Sequence, residues 1–239
     1  MGLVRSGPAR GLVAQIVLLA ALAGTVGLGK AGWLAGTAYG IATYALLTWG
    51  LRRSGADELG PADRVTLTRA ALVGGVTALT IDAFDRPVPV VTLVSLTIVA
   101  LALDWVDGQV ARRTGTVSDL GARFDMEVDA SLLLVLGLYA ARPVGAWVLT
   151  LGLMRYMFMA AGWVLPWMRA ALPPRYWRKV VAATQGVVLV VATAGILPRT
   201  VTVLALAVAL GMLVESFGRD VLWLWQRRVV HAAAPVGTG

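Results

Sequence analysis

Four aspartates, Asp104, Asp107, Asp125 and Asp129, are the residues of this chain whose type and spacing best suit chemistry. An α-helix turns 100° per residue, so Asp104, Asp107, Gly108 and Ala111 share one stripe at i, i+3, i+4, i+7. Gly121, Asp125 and Asp129 form a second stripe at i, i+4, i+8. Glu127 lies about 200° round from Asp125 and is expected to face elsewhere, solvated like Asp119. If the two helices meet at one end, four carboxylates converge, and Gly108, Ala111 and Gly121 leave room for close packing or a ligand. Like charges at a membrane edge repel and cost desolvation energy, and binding cations is the simplest relief. All-oxygen donors suit hard ions such as Mg²⁺ or Mn²⁺, which also bridge phosphate oxygens. Two such ions over a pyrophosphate would polarise the attacked phosphorus and stabilise the leaving oxygen, with Arg112 neutralising a phosphate. The competing readings are a divalent-cation pathway in a membrane carrier and a structural ion-pair cluster with Arg112 and Arg123.

The elements that position these residues belong in a bilayer. Of 239 residues, 58% are hydrophobic and 14% charged, against roughly a quarter charged in a soluble domain. A spanning helix needs about 20 largely apolar residues. Runs at 11–29, 31–50, 69–81, 88–110, 120–140, 144–164, 180–197 and 200–217 predict eight spans. Pro61-Ala62-Asp63 reads as a helix start with Asp63 as a cap. Breaks are expected at 82–87, where Asp82 and Asp85 fall in a loop, at Arg142-Pro143, at 166–178 and at Pro198-Arg199. The first run is read as a retained span because a second follows within two residues, unlike a signal peptide.

The basic residues set an orientation. With both termini in the cytoplasm, sixteen Lys and Arg fall on cytoplasmic segments and four (Lys30, Arg86, Arg142, Arg199) on outer loops, which leaves Arg155 inside a span. That is a strong positive-inside bias. It accounts for the net charge of +8 without nucleic acid, and the tryptophans near span ends read as an interfacial belt. With no cysteine and one histidine, His231, thiolate or histidine-based chemistry has no support.

The stretch from Asp104 to Asp129 resembles the signature of the CDP-alcohol phosphatidyltransferase family, D-x2-D-G-x2-A-R-x8-G-x3-D-x3-D. All eight fixed positions are filled, by Asp104, Asp107, Gly108, Ala111, Arg112, Gly121, Asp125 and Asp129. Pro61-Ala62-Asp63 with Thr66 and Arg69 is similar to the P-x-N-x-x-T-x-x-R that opens the family's first core helix, with Asp63 standing where Asn is common. The resemblance implies an all-α polytopic membrane bundle with a six-helix core at 55–229. Residues 1–54 would carry a tail and two extra spans, and 230–239 a flexible tail. It implies that Asp104, Asp107, Asp125 and Asp129 bind two Mg²⁺ or Mn²⁺ ions, and that Asp129 is also the general base. The acceptor hydroxyl would attack the β-phosphorus of a CDP-linked lipid such as CDP-diacylglycerol and expel CMP. Thr66, Gly108, Ala111, Arg112 and Gly121 would border the nucleotide and pyrophosphate.

The acceptor is less constrained. A basic residue inside a span is a functional candidate by default, and Arg155 with Lys179 and Arg219 would form an anion pocket. That pocket favours a phosphorylated polyol, glycerol 3-phosphate or inositol phosphate, although phosphatidylglycerol also fits the family. The alternative donor is a CDP-linked small alcohol with diacylglycerol as acceptor. Glu215 is expected to pair with Arg219 at i, i+4. Partners are therefore the donor, the acceptor and membrane lipids, with a homodimer admitted, and the site faces the cytoplasm from the cell membrane. Acids gathered on one face only, rather than across mid-membrane, favour an enzyme over a carrier.

Overall fold

The computed structural model describes residues 6–54, 60–114, 118–173 and 175–233. Among them eight α-helices follow one another with no strand. They are α1 (Ser6–Val26), α2 (Lys30–Ser54), α3 (Pro61–Asp82), α4 (Val90–Thr114), α5 (Asp119–Val144), α6 (Leu149–Val164), α7 (Tyr176–Ala194) and α8 (Arg199–Ala233). Short 3₁₀ turns at Ala146–Val148 and Pro166–Arg169 flank α6. The all-α class is as expected.

Among the described residues five helices, α1, α3, α6 with its leading turn, α7 and α8, are long and apolar enough to cross a bilayer, so the chain is a multi-pass membrane protein. The sequence runs predicted eight such spans. In α2 the apolar content is diluted by glycine, threonine and two terminal arginines, and in α5 by the acidic first turns. In α4 the apolar stretch among the described residues is Val90–Val106. Helix ends also differ from expectation. Helix α5 runs through Pro143, and the chain turns only at Gly145, whose φ of 136° suits glycine alone. Asp82 is not a loop residue but the last residue of α3, and α8 continues to Ala233.

Helix α3 is the axis of the bundle, packed against α1, α2, α4 and α5, with most of its span buried. Around it, α5 packs on α6 and α7, and α7 on α8. Close approach depends on small residues. A Cβ at Gly152 of α6 would sit 2.3 Å from the Leu134 Cα of α5, a backbone atom that cannot step aside. Buried amides join helix pairs where apolar contact alone gives little preference. Gln15 of α1 donates to the Gly36 carbonyl of α2 at 3.4 Å, and Gln185 of α7 to the Ala209 carbonyl of α8 at 2.7 Å.

The α1–α2 hairpin is clasped to α3 at the end remote from the aspartates. Gly29 donates its N–H to both carboxylate oxygens of Asp82, at 3.1 and 3.0 Å. Arg86 pairs with Asp82 at 2.8 Å and donates to the Val26 carbonyl at 3.1 Å. Asp82 is 1% exposed, so its charge is held entirely by these groups.

Candidate active site

The site is built where the ends of three helices meet. Helix α3 starts at Gly60, whose N–H donates to Asp63 Oδ2 at 2.9 Å, so Asp63 caps the helix as expected, although by reaching back rather than forward. Helix α5 starts at Ser118, whose Oγ accepts from the Gly121 N–H at 2.9 Å. These two starts touch. A Cβ on Gly121 would fall 2.3 Å from Asp63 Oδ1, so the glycine is where the first turn of α5 lies against the first turn of α3.

Two turns further along α3, Arg69 reaches the aspartates. It is 1% exposed, and its Nη1 pairs with Asp104 of α4 and its Nη2 with Asp125 of α5. Nη2 also lies 3.1 Å from Asp129 Oδ1 and donates to the Asp125 backbone carbonyl at 3.2 Å. The carboxylates themselves are open, with side-chain exposures of 40, 35 and 43% for Asp104, Asp125 and Asp129. A guanidinium thus forms the floor of the cluster and the acids its rim. One oxygen from each of the three acids can be chosen so that all lie within 4.8 Å of one another.

This arrangement fits a hard divalent cation. The donors are all carboxylate oxygen, they converge from two helices, and a cationic group already occupies their buried side. Asp107, Ala111 and Arg112 lie on α4, but their side chains are outside the described residues, as is that of Asp119. Gly108 is half-buried on α4, and Thr66 is buried on α3, one turn before Arg69.

The three cations expected to share an anion pocket are placed differently from one another. Arg155 of α6 pairs with Glu127 of α5 at 2.9 Å. Glu127, expected to be solvated, is therefore held on the α6 side of α5, two residues from Asp125 and Asp129. Arg219 pairs with Glu215, as expected, and Glu215 also accepts from Trp177 Nε1 at 2.8 Å. Arg219 shares with Arg175, Leu222, Trp223 and Gln226 a cleft of about 360 Å³ between the start of α7 and α8. Lys179 is exposed on α7. Asp220, which the sequence reading did not single out, is buried between Arg175 at 3.8 Å and Arg178 at 3.5 Å. Its signal was available, as an acid in a helix that projects beyond the apolar run.

A membrane-embedded helical bundle with half-open carboxylates over a buried guanidinium suits the class of enzymes that handle phosphate esters at a bilayer surface, as it would any cation-binding membrane protein. The particular family is shown by comparison. Residues 60–214 match the sequence profile of the CDP-alcohol phosphatidyltransferases, and the chain belongs to that family. No curated protein and no solved structure matches it significantly. The matched region starts at the α3 cap and takes in the whole carboxylate cluster. The chain is accordingly a transferase of phospholipid synthesis, acting on a CDP-linked alcohol and an alcohol acceptor, and not a cation carrier.

Proposed function

We propose that this enzyme transfers a phosphatidyl group from CDP-diacylglycerol to a phosphorylated polyol, such as glycerol 3-phosphate or inositol phosphate, and releases CMP. The observation that carries the reaction chemistry is the convergence of Asp104, Asp125 and Asp129 within 4.8 Å. Those three residues, with Asp107, would hold two Mg²⁺ or Mn²⁺ ions. When bound, the ions supply charge neutralisation for the pyrophosphate and for the departing CMP oxygen. Asp129, the most exposed of the three rim acids, takes the proton of the acceptor hydroxyl as it attacks the β-phosphorus. Thr66, Gly108, Ala111, Arg112 and Gly121 border the nucleotide, Arg112 as a charge partner for phosphate.

The acceptor assignment rests on the basic residues of the same end. Arg155, Lys179 and Arg219 would bind its phosphate, Arg155 by exchanging Glu127 for the ligand and Arg219 from the cleft it shares with Arg175. The donor enters sideways from the bilayer, the acceptor from the cytoplasm, and both termini lie on the cytoplasmic side. Helices α1 and α2, outside the matched residues, form an accessory hairpin to a catalytic core at 55–229.

CMP release tests the reading. Purified protein in detergent is given CDP-diacylglycerol, Mn²⁺ or Mg²⁺ and a panel of alcohols. Turnover with a polyol phosphate, abolished by Asp129→Asn and absent in EDTA, is the expected result. CMP released only from a CDP-linked small alcohol with diacylglycerol as acceptor would overturn the assignment of donor and acceptor. Wild-type turnover in Asp129→Asn would remove that residue from the chemistry.

A further inference from the structure

We infer that Arg69 is a positioning residue for the metal site, a fixed counter-cation that aligns the carboxylates from below and limits how tightly they bind divalent ions. The inference rests on the reading of the aspartates as metal ligands. Its basis is the pairing of one guanidinium with Asp104, Asp125 and Asp129, which joins three helices at one point. Arg69 is 1% exposed, so it cannot leave for solvent when ions arrive. Its hold on the Asp125 backbone carbonyl at 3.2 Å does not depend on any carboxylate, which keeps the group in place while the acids turn to a new partner. The planar fork of arginine suits this task, since its donors can bridge separate acceptors where lysine presents one point charge.

Two consequences follow from the charge balance. Without metal, one guanidinium against three carboxylates leaves the cluster negative but far less self-repelling, so the ends of α4 and α5 stay together over α3. A guanidinium fixed on these carboxylates would oppose cations held by the same acids, and unit charges a few ångströms apart in a half-buried site alter binding by at least about tenfold. Arg69 therefore makes the site preformed yet weak for metal alone, and a pyrophosphate-bearing donor supplies the negative charge that completes it.

The test is thermal unfolding of the full-length protein in detergent, in EDTA and across a Mn²⁺ titration, for wild type, Arg69→Gln and Arg69→Lys. In Arg69→Gln the EDTA transition should fall, Mn²⁺ should raise it by more than in wild type, and the half-effect Mn²⁺ concentration should drop about tenfold. Arg69→Lys, which keeps the charge but not the bridging fork, should fall between the two, and it serves alone if Arg69→Gln does not fold. A residue that merely fills space would lower both transitions equally. An unchanged Mn²⁺ shift in Arg69→Gln, or Arg69→Lys identical to wild type in both conditions, overturns the inference. Neither readout uses a nucleotide. Equal shifts overturn the role of Arg69 and leave the transfer reaction standing, whereas a larger shift in a protein that never forms CMP overturns the transfer reaction alone.

Discussion

Replacing Gly121 by alanine asks whether this motif glycine serves the site by letting α3 and α5 touch. The new Cβ would lie 2.3 Å from Asp63 Oδ1 and 3.0 Å from Ser118 Oγ, against ordinary contact at roughly 3.5 Å, so something must move by about 1 Å. Neither neighbour is loose. Asp63 is buried and its other oxygen accepts from Gly60 N at 2.9 Å, while Ser118 Oγ accepts from Gly121 N itself. Either Asp63 gives up its cap, at a cost of about 0.5–2 kcal/mol, or the start of α5 shifts off α3. Alanine favours a helix over glycine by about 1 kcal/mol, which offsets much of that cost, so the stability change should be small, within about 1 kcal/mol. The rate should not be spared. Asp125 follows Gly121 by one turn, and misplacing a reacting constellation by about 1 Å costs on the order of 10²-fold. The assay is CMP release with thermal unfolding on the same preparations, for Gly121→Ala, Asp63→Ala and the double variant. Removing the Asp63 carboxylate should relieve the clash, so the double variant should lose little beyond Asp63→Ala. Wild-type turnover in Gly121→Ala, or strictly multiplicative losses in the double variant, would refute the argument.

Asp82→Asn should lower the unfolding transition by the worth of a charged hydrogen-bond acceptor, about 1.5–3 kcal/mol. CMP formation per folded molecule should persist, because thirteen helical residues place Asp82 about 20 Å from Arg69; an unchanged transition would show that the clasp contributes nothing. Arg155→Ala should raise the Michaelis constant for a phosphate-bearing acceptor about tenfold or more and leave that for the CDP-linked donor alone. An acceptor constant that does not move would reduce Arg155 to the partner of Glu127.

The sequence was informative where a pattern runs along one helix. The i, i+4 stripe places Asp125 with Asp129, and the apolar runs at 88–110 and 120–140 pointed to the helices α4 and α5 that carry the acids. What spacing alone left open was which helix faces which. Arg69 stood in a recognisable first-helix pattern, yet nothing in its spacing from Asp104 or Asp125 says that it lies beneath both, since that follows from the packing of α3 between α4 and α5. The partner of Glu127 was missed for the same reason. The angle of Glu127 away from Asp125 was right, but the surface on that side is α6, and Arg155 is there to meet it. Asp82 was read as a loop residue because Asp, Pro and Arg cluster after it. The chain instead keeps it in the last turn of α3, where the Gly29 N–H and Arg86 supply its partners.

These cases share one element. Helix α3 carries Asp63, Thr66, Arg69, Thr80 and Asp82, all buried, a polar load too heavy for a helix exposed to lipid. Helices α4 and α5 cover it on the side of the carboxylates, and α1 and α2 cover the rest. The α1–α2 hairpin thus shields from lipid part of the polar surface of α3. The Asp82 clasp at one end and the Arg69 bridge at the other fix the height and rotation of α3 against its neighbours. Helices α1 and α2, outside the family match, thus bury part of the helix that carries Arg69.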